Sequence, residues 1–326
     1  MVGTYRRAGW SAVWCGRLPV CYWLPFDERT TVIPEGHDGP DSLAEARAHY
    51  AETLRLAGRV RSDAVVRAFA TVPRERFLGP GPWRVRDARS GAGYSTTPDT
   101  DPRHVYHNVL VALDEARGIN NGSPALWAGV LDRLDIAAGE SVLHLGSGTG
   151  YYSAILAELV GVDGQVIAVE QDPALAERAR EALAVWPRVV AVQADGAAVA
   201  SGPQDVIVVS AGATHPLPGW LAALRPGGRL AMPLTTRQRG GFMLKLTRRG
   251  GAGARLAAES LGRVGFIPFT GARDASLGNA LGAALRLREP EVVRSLRPDP
   301  HAPDDSCWLH GNGFCLSTLD PDPGAP

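Results

Sequence analysis

Hydrophobic and polar positions change period at definite places along the chain, and those changes outline a set of elements. A short apolar run, Val142-Leu143-His144-Leu145, stops at Gly146-Ser147-Gly148-Thr149-Gly150. Apolar residues at helical spacing follow, then an Asp163-Gly164 turn, a second apolar run at 166–169, and Glu170. This predicts strand, glycine turn, helix, strand and acid in sequence. Upstream, Leu43, Ala46, Tyr50, Leu54 and Ala57 share one helical face behind a capping-box signature at Ser42-Leu43-Ala44-Glu45, and Gly58 ends it. A second helix runs from Ser62-Asp63 through Val66, Phe69 and Ala70 to Pro73. Ser123 as cap and Pro124 in the first turn open a third, with Leu126, Val130, Leu131 and Leu134 as its buried stripe. Residues 83–104 show no period, and 109–113 suit either strand or helix.

Beyond the central unit the pattern predicts a helix at 173–185 and strands at 189–192 and 206–209. A short helix at 220–224 and a Pro226-Gly227-Gly228 turn lead to strands at 229–232, 242–247 and 263–267. Strands that first alternate with helices and then follow one another predict an α/β fold: a doubly wound, mostly parallel seven-stranded sheet with N-terminal helices. The chain then divides into an irregular segment 1–40, a main domain 41–267 and a C-terminal appendage 268–326. The appendage reads as a helix at 277–287 and a hairpin of 307–309 and 314–316 around His310-Gly311-Asn312-Gly313.

The glycine turn narrows the chemistry. A turn that leaves a strand and opens a helix brings backbone close to a ligand, and glycine fits where a Cβ would clash. The helix start presents free N–H groups, and an acid ending the second strand can accept two hydrogen bonds from ribose hydroxyls. Dinucleotide sites favour G-x-G-x-x-G; here the spacing is G-x-G-x-G, and Tyr151 stands where a third dinucleotide glycine would be. S-adenosylmethionine (SAM), which has no pyrophosphate to place on the helix, suits this turn better than a dinucleotide.

Composition removes several alternatives. The 326 residues include 45% hydrophobic ones, enough for a sizeable core, and carry zero net charge, so no global field recruits nucleic acid or an anionic membrane. Lys245 is the only lysine. Cys15, Cys21, Cys307 and Cys315 are too few for a disulfide framework, and a two-residue hairpin turn would not set Cys307 opposite Cys315. No C-x-x-C pair occurs, so no metal site is expected. No apolar run is long enough to span a bilayer. Residues 9–26 are apolar behind Arg6-Arg7, as in an export signal. Arg17 and Pro19 interrupt that run without a clear cleavage site, so a cytoplasmic protein is expected.

Four segments together resemble one family: VPRERFL at 72–78, the polar loop ending in Pro124, LGSGTGYYSA at 145–154 and LRPGGRLAMPL at 224–234. They are similar to the protein-L-isoaspartate O-methyltransferase (protein-carboxyl methyltransferase) family over roughly residues 42–247. The resemblance implies a Rossmann-like class I SAM methyltransferase that esterifies an isoaspartyl or side-chain carboxylate of a protein or peptide. It places Gly146, Ser147 and Gly148 along SAM, Glu170 at the ribose, and Asp195-Gly196 by the adenine; Gly150 and Tyr151 complete the expected cofactor set. The family's loop carries a serine two residues before the proline, where this chain has Gly122. A branch that methylates aspartates in ribosomal peptides, a small-molecule methyltransferase and a SAM-binding module without catalysis remain as alternatives. A nucleic-acid methyltransferase fits less well, since no N/D-P-P-Y-type tetrad follows the fourth strand.

Methyl transfer to a carboxylate needs no general base, because the nucleophile is ionised at neutral pH, with a pKa near ~4. The transition state disperses charge, so neutral donors suit it better than a tight arginine pair. Asn120, Asn121 and Ser123 are therefore the candidate residues for orienting the carboxylate. His144 is expected to pack in the core, and His215 to sit in the loop after the fourth strand. The expected partner is a protein or peptide substrate, with neither nucleic acid nor membrane, and the oligomeric state is left open.

Overall fold

The computed structural model describes residues 6–7, 10–11, 40–87, 93–199, 201–249, 255–298 and 300–321. Two units separate, Met1–Ser42 and Leu43–Pro326. In the first, β1 (Arg6–Arg7) and β2 (Trp10–Ser11) pair antiparallel. Most of the export-like run, with Cys15 and Cys21, lies outside the described residues.

Helix α1 (Pro40–Gly58) begins two residues before the expected cap, so the capping-box reading of Ser42 does not hold. Helix α2 (Asp63–Thr71) has Ser62 as its N-cap, with the hydroxyl accepting from the Val65 amide. A small four-stranded sheet follows in the order β4-β3-β5-β6, made of β3 (Arg84–Asp87), β4 (Ser95–Thr96), β5 (Val109–Asp114) and β6 (Ile119–Asn120). Its first two strands fall where the sequence shows no period, because they alternate charged and short residues on an open surface. Ser123 caps α3 (Pro124–Leu134) as expected.

The main sheet starts at β7 (Ser141–Leu145) and continues through α4 (Tyr151–Val160), β8 (Gln165–Glu170), α5 (Pro173–Leu183), β9 (Val189–Gln193) and β10 (Gln204–Val209). Helix α6 (Pro218–Ala223) leads into β11 (Leu224–Thr235), β12 (Gly240–Arg248) and β13 (Leu256–Gly265). Then come α7 (Ala275–Leu287), β14 (Ser295–Arg297), β15 (Cys307–Gly311) and β16 (Phe314–Ser317). Strands β9, β8, β7, β10 and β11 run parallel, and the others pair antiparallel.

The sheet has ten strands, in the order β15-β16-β14-β13-β12-β11-β10-β7-β8-β9, where the sequence predicts seven. The extra three come from the C-terminal segment, which hydrogen-bonds to β13 through Leu296 and Ser295 and so lengthens the sheet. Pro226-Gly227-Gly228 lies within β11 at a register shift against β10. Cys307 pairs with Ser317 and Cys315 with His310, and both thiols are free.

Alternation along the strands builds two cores. Val142, Val166, Ala168, Val206 and Val208 face the helices α1 to α5, packing with Tyr50, Phe69, Trp127 and Ile155. Leu143, Leu145, Val169, Ile207 and Val209 face the opposite side, with Trp220, Phe269, Leu281, Trp308 and Phe314. Strand order reverses between β7 and β10, and in open α/β sheets such a reversal leaves a crevice beyond the strand ends.

Candidate active site

The turn from β7 into α4 lies at that reversal. Gly146, Gly148 and Gly150 all have left-handed φ, at 75°, 58° and 95°. A Cβ on Gly150 would also lie 2.7 Å from Leu183 Cδ1, so the turn accepts little but glycine there. The amides of Gly146 and Ser147 donate to the Val169 carbonyl at 2.8 and 3.0 Å, tying the turn to the end of β8. Glu170 closes it: Oε2 accepts from the Gly148 amide at 2.8 Å and Oε1 from the Asp172 amide at 2.9 Å. Burial pushes the Glu170 carboxyl above its ordinary pKa, against the pull of these amides.

A cavity of about 1240 Å³ opens against this turn. It brings Asn120, Asn121, Ser123, Gly146, Ser147, Gly148 and Tyr151 together. Glu170, Gly150, Asp195 and Gly196 are not in its lining. Glu170 reaches it through Gly148. Asp195, just past β9, is exposed and accepts from the Ala197 amide at 2.9 Å, and the Gly196 carbonyl accepts from Trp220 Nε1 at 2.9 Å.

Loop 118–124 is built from its own polar groups. Asn120 Oδ1 accepts from the Gly122 amide at 2.9 Å. Asn121 Oδ1 accepts from the Val111 amide at 2.9 Å and from Arg74 Nη2 at 3.2 Å. Ser123 Oγ donates to Asn108 Oδ1 at 3.2 Å while capping α3. Gly122 has φ 74°, and a Cβ on it would meet Trp127 Nε1 at 3.0 Å and Tyr152 Cε2 at 3.4 Å. Glycine at this position is thus a requirement of backbone and packing in this chain.

Arg74, to which the sequence pattern assigns no role, organises the floor. It is fully buried and donates to the carbonyls of Val105, His107 and Val109 and to Asn121, while its guanidinium carbon lies 6.0 Å from the Tyr50 ring and 5.9 Å from the Tyr151 ring. Its one signal in the sequence is its place in VPRERFL. Asn108 carries no such signal. Tyr152 reads as packing at the start of α4, yet its hydroxyl is buried in the cavity wall without a hydrogen-bond partner.

His144 is fully buried, with Nδ1 at 2.8 Å from Ser153 Oγ and Nε2 at 2.8 Å from Ser210 Oγ. Burial drives its pKa down to about 3, so it is a neutral strut beneath the site. His215 stacks on Phe314 at 6.1 Å, with Nδ1 3.0 Å from Thr214 Oγ1.

The residues present fit SAM. Ser147 Oγ, Tyr152 OH and Asn121 Nδ2 are buried polar atoms without protein partners, gathered around an open glycine turn and an acid. Each of Glu170's two oxygens holds one amide, leaving acceptor positions for two ribose hydroxyls.

Fold and site together define a SAM-dependent methyltransferase with a doubly wound sheet. A solved protein-L-isoaspartate O-methyltransferase aligns with 25% identity and a TM-score of 0.53, covering 74% of this chain and 71% of that one. A Plasmodium falciparum structure in complex with S-adenosyl-L-homocysteine shares the fold at 18% identity, with a TM-score of 0.55 over 69% of this chain and 98% of its own. The protein-L-isoaspartate O-methyltransferase of Methylorubrum extorquens is 35% identical over 229 residues, which is 69% of this chain and 89% of that protein. That of Aeropyrum pernix is 36% identical over 201 residues, 60% of this chain and 69% of its own. The model of the protein-L-isoaspartate(D-aspartate) O-methyltransferase family matches residues 45–274. This chain belongs to that family, and its cofactor is SAM.

Proposed function

We propose that this enzyme transfers the methyl group of SAM to an aspartyl or isoaspartyl carboxylate in a protein or peptide, in the cytoplasm and without a nucleic-acid partner. One observation carries the reading: the wall beside the glycine turn offers neutral polar groups and no free base. Among the described residues the cavity is lined by no histidine, and its one acid, Asp132, is committed to the amides of Arg61 and Ser62 at 2.8 and 2.7 Å. Such a site cannot readily deprotonate an alcohol or amine, whereas a carboxylate arrives ionised.

Bound SAM supplies a methyl group on a positively charged sulfur. The chain's own contribution is alignment. Asn121 Nδ2 and the Tyr152 hydroxyl, both without a protein partner, are the donors assigned to the carboxylate, while Asn120 and Ser123 hold the loop in shape. Arg86 and Arg239 are also in the lining, and their positive charge favours entry of an anion. Protein repair at isoaspartyl residues is the role this implies.

Gly122 supports a second substrate class. Where the resemblance implies a serine, this chain has a glycine of left-handed φ whose Cβ would press on Trp127 Nε1 at 3.0 Å, so the contact to the substrate carboxylate differs. Aspartate in a peptide is the alternative, as in peptide tailoring. Incubation with tritiated SAM and matched isoaspartyl and aspartyl peptides, followed by alkaline release of methanol, separates the two. Label that stays on the peptide in alkali would sink both.

A further inference from the structure

The sequence contains no C-x-x-C pair and gives no reason to expect a metal. Folding nevertheless gathers four good ligands at the far edge of the sheet. His301 precedes the last hairpin, Cys307 and His310 lie on β15, and Cys315 lies on β16. One potential ligand atom from each falls within 4.8 Å of all the others. Cys307 Sγ is 3.5 Å from His301 Nε2 and 3.9 Å from His310 Nδ1. A tetrahedral zinc ion, with Zn–S about 2.3 Å and Zn–N about 2.0–2.1 Å, separates sulfur from nitrogen by about 3.5–3.6 Å. The chain already holds its ligands near that spacing.

We propose that His301, Cys307, His310 and Cys315 form a Cys2His2 zinc site that fastens the C-terminal hairpin. The ligand set selects the ion: two sulfurs and two imidazoles suit zinc, whereas calcium and magnesium require oxygen. Four protein ligands leave no open position, so the site is structural and has no part in methyl transfer. Hairpin register argues against a disulfide, since Cys307 stands opposite Ser317 while Cys315 stands opposite His310.

The site lies on β15, the last strand of the ten-stranded sheet. Phe314, at the turn of the same hairpin, stacks on His215 in the loop that follows β10.

The test uses the full chain, purified without chelators, with its metal content read by elemental mass spectrometry. One zinc per chain is expected, falling at least tenfold in the Cys307→Ser/Cys315→Ser double variant. A cysteine variant can fail through misfolding, so the wild type is also stripped by chelator under reducing conditions and titrated with Co2+ alone. The visible absorption of tetrahedral, thiolate-bound cobalt should saturate at one equivalent, and His301→Ala should weaken it. SAM affinity of the double variant should stay within about threefold of wild type, since the cradle lies at the other end of the sheet. Folded wild type without metal and without a cobalt spectrum overturns the proposal. So does unchanged zinc in the double variant, or a Cys307–Cys315 cystine found by peptide mapping of the unreduced chain.

Discussion

Replacing Glu170 by glutamine isolates the hydrogen-bond arithmetic of the cofactor seat. A carboxylate has about four acceptor positions. The amides of Gly148 and Asp172 occupy one on each oxygen, at 2.8 and 2.9 Å, which leaves two for the ribose diol. Glutamine keeps one oxygen and places an NH2 group against the other amide and the other hydroxyl. The amide contact is lost with and without ligand and largely cancels in binding. The hydroxyl contact is lost only in the complex. A hydrogen bond to a charged group contributes about 1.5–3 kcal/mol, and each 1.4 kcal/mol is tenfold, so the SAM dissociation constant should rise about 10- to 150-fold. Calorimetric titration of wild type and Glu170→Gln with SAM and S-adenosylhomocysteine reads this directly. An equal loss for both ligands is expected, since they share the ribose. A change below threefold, with the variant folded, refutes the role given to Glu170.

Other perturbations test the remaining parts. Asn121→Asp keeps the oxygen that accepts from Val111 and Arg74 but replaces the unpartnered Nδ2 with a negative oxygen; turnover should fall about 10- to 150-fold, the worth of one lost hydrogen bond to a charged group, with the melting temperature little changed. Gly122→Ser places a Cβ at φ 74° and 3.0 Å from Trp127 Nε1; a loss of about 1–2 kcal/mol in denaturant unfolding is expected from the backbone alone. His144, held neutral with a pKa of about 3, contributes stability that is complete above pH 6.5 and declines as pH falls toward 3, because only the unfolded chain binds the proton; His144→Gln should flatten that part of the pH–stability curve. SAM affinity should fall as pH drops through the raised pKa of Glu170, since a protonated carboxyl gives up an acceptor, and Glu170→Gln should remove this dependence.

How far the sequence reaches depends on where each signal resides. The unit from β7 to β8 was legible because its strands are buried on both faces and read as short apolar runs, interrupted only by His144, with glycines marking the turn between them. The caps of α2 and α3 were legible because a capping hydroxyl acts within three residues. Strands β3 and β4 were not, since Arg84, Arg86, Asp87 and Ser95 carry no apolar alternation, and β3 is held by pairing to both β4 and β5. Strand β13 begins at Leu256, ahead of the expected 263, because Ala257-Ala258-Glu259-Ser260 has little periodic contrast. Arg74 is the sharpest omission. A charged residue in the core is invisible to patterning, and its four acceptors are distributed over residues 105–121. Asn121 shows the converse: its place in the loop was legible, but its side chain faces two ways, with the oxygen holding the fold and the nitrogen left for a ligand. The hairpin around Gly313 could be read from its turn, whereas its joining to the main sheet through β14 depends on contacts distant in sequence.

The most direct test of the central claim is the chemical fate of a transferred methyl group. Purified enzyme is incubated with tritiated SAM and an isoaspartyl or aspartyl peptide, and volatile tritiated methanol is measured after brief alkaline treatment. Alkali-labile label that disappears in Asn121→Asp is the predicted result. Label stable to alkali, or no transfer to either peptide by protein that binds SAM, would contradict a site built to align a carboxylate.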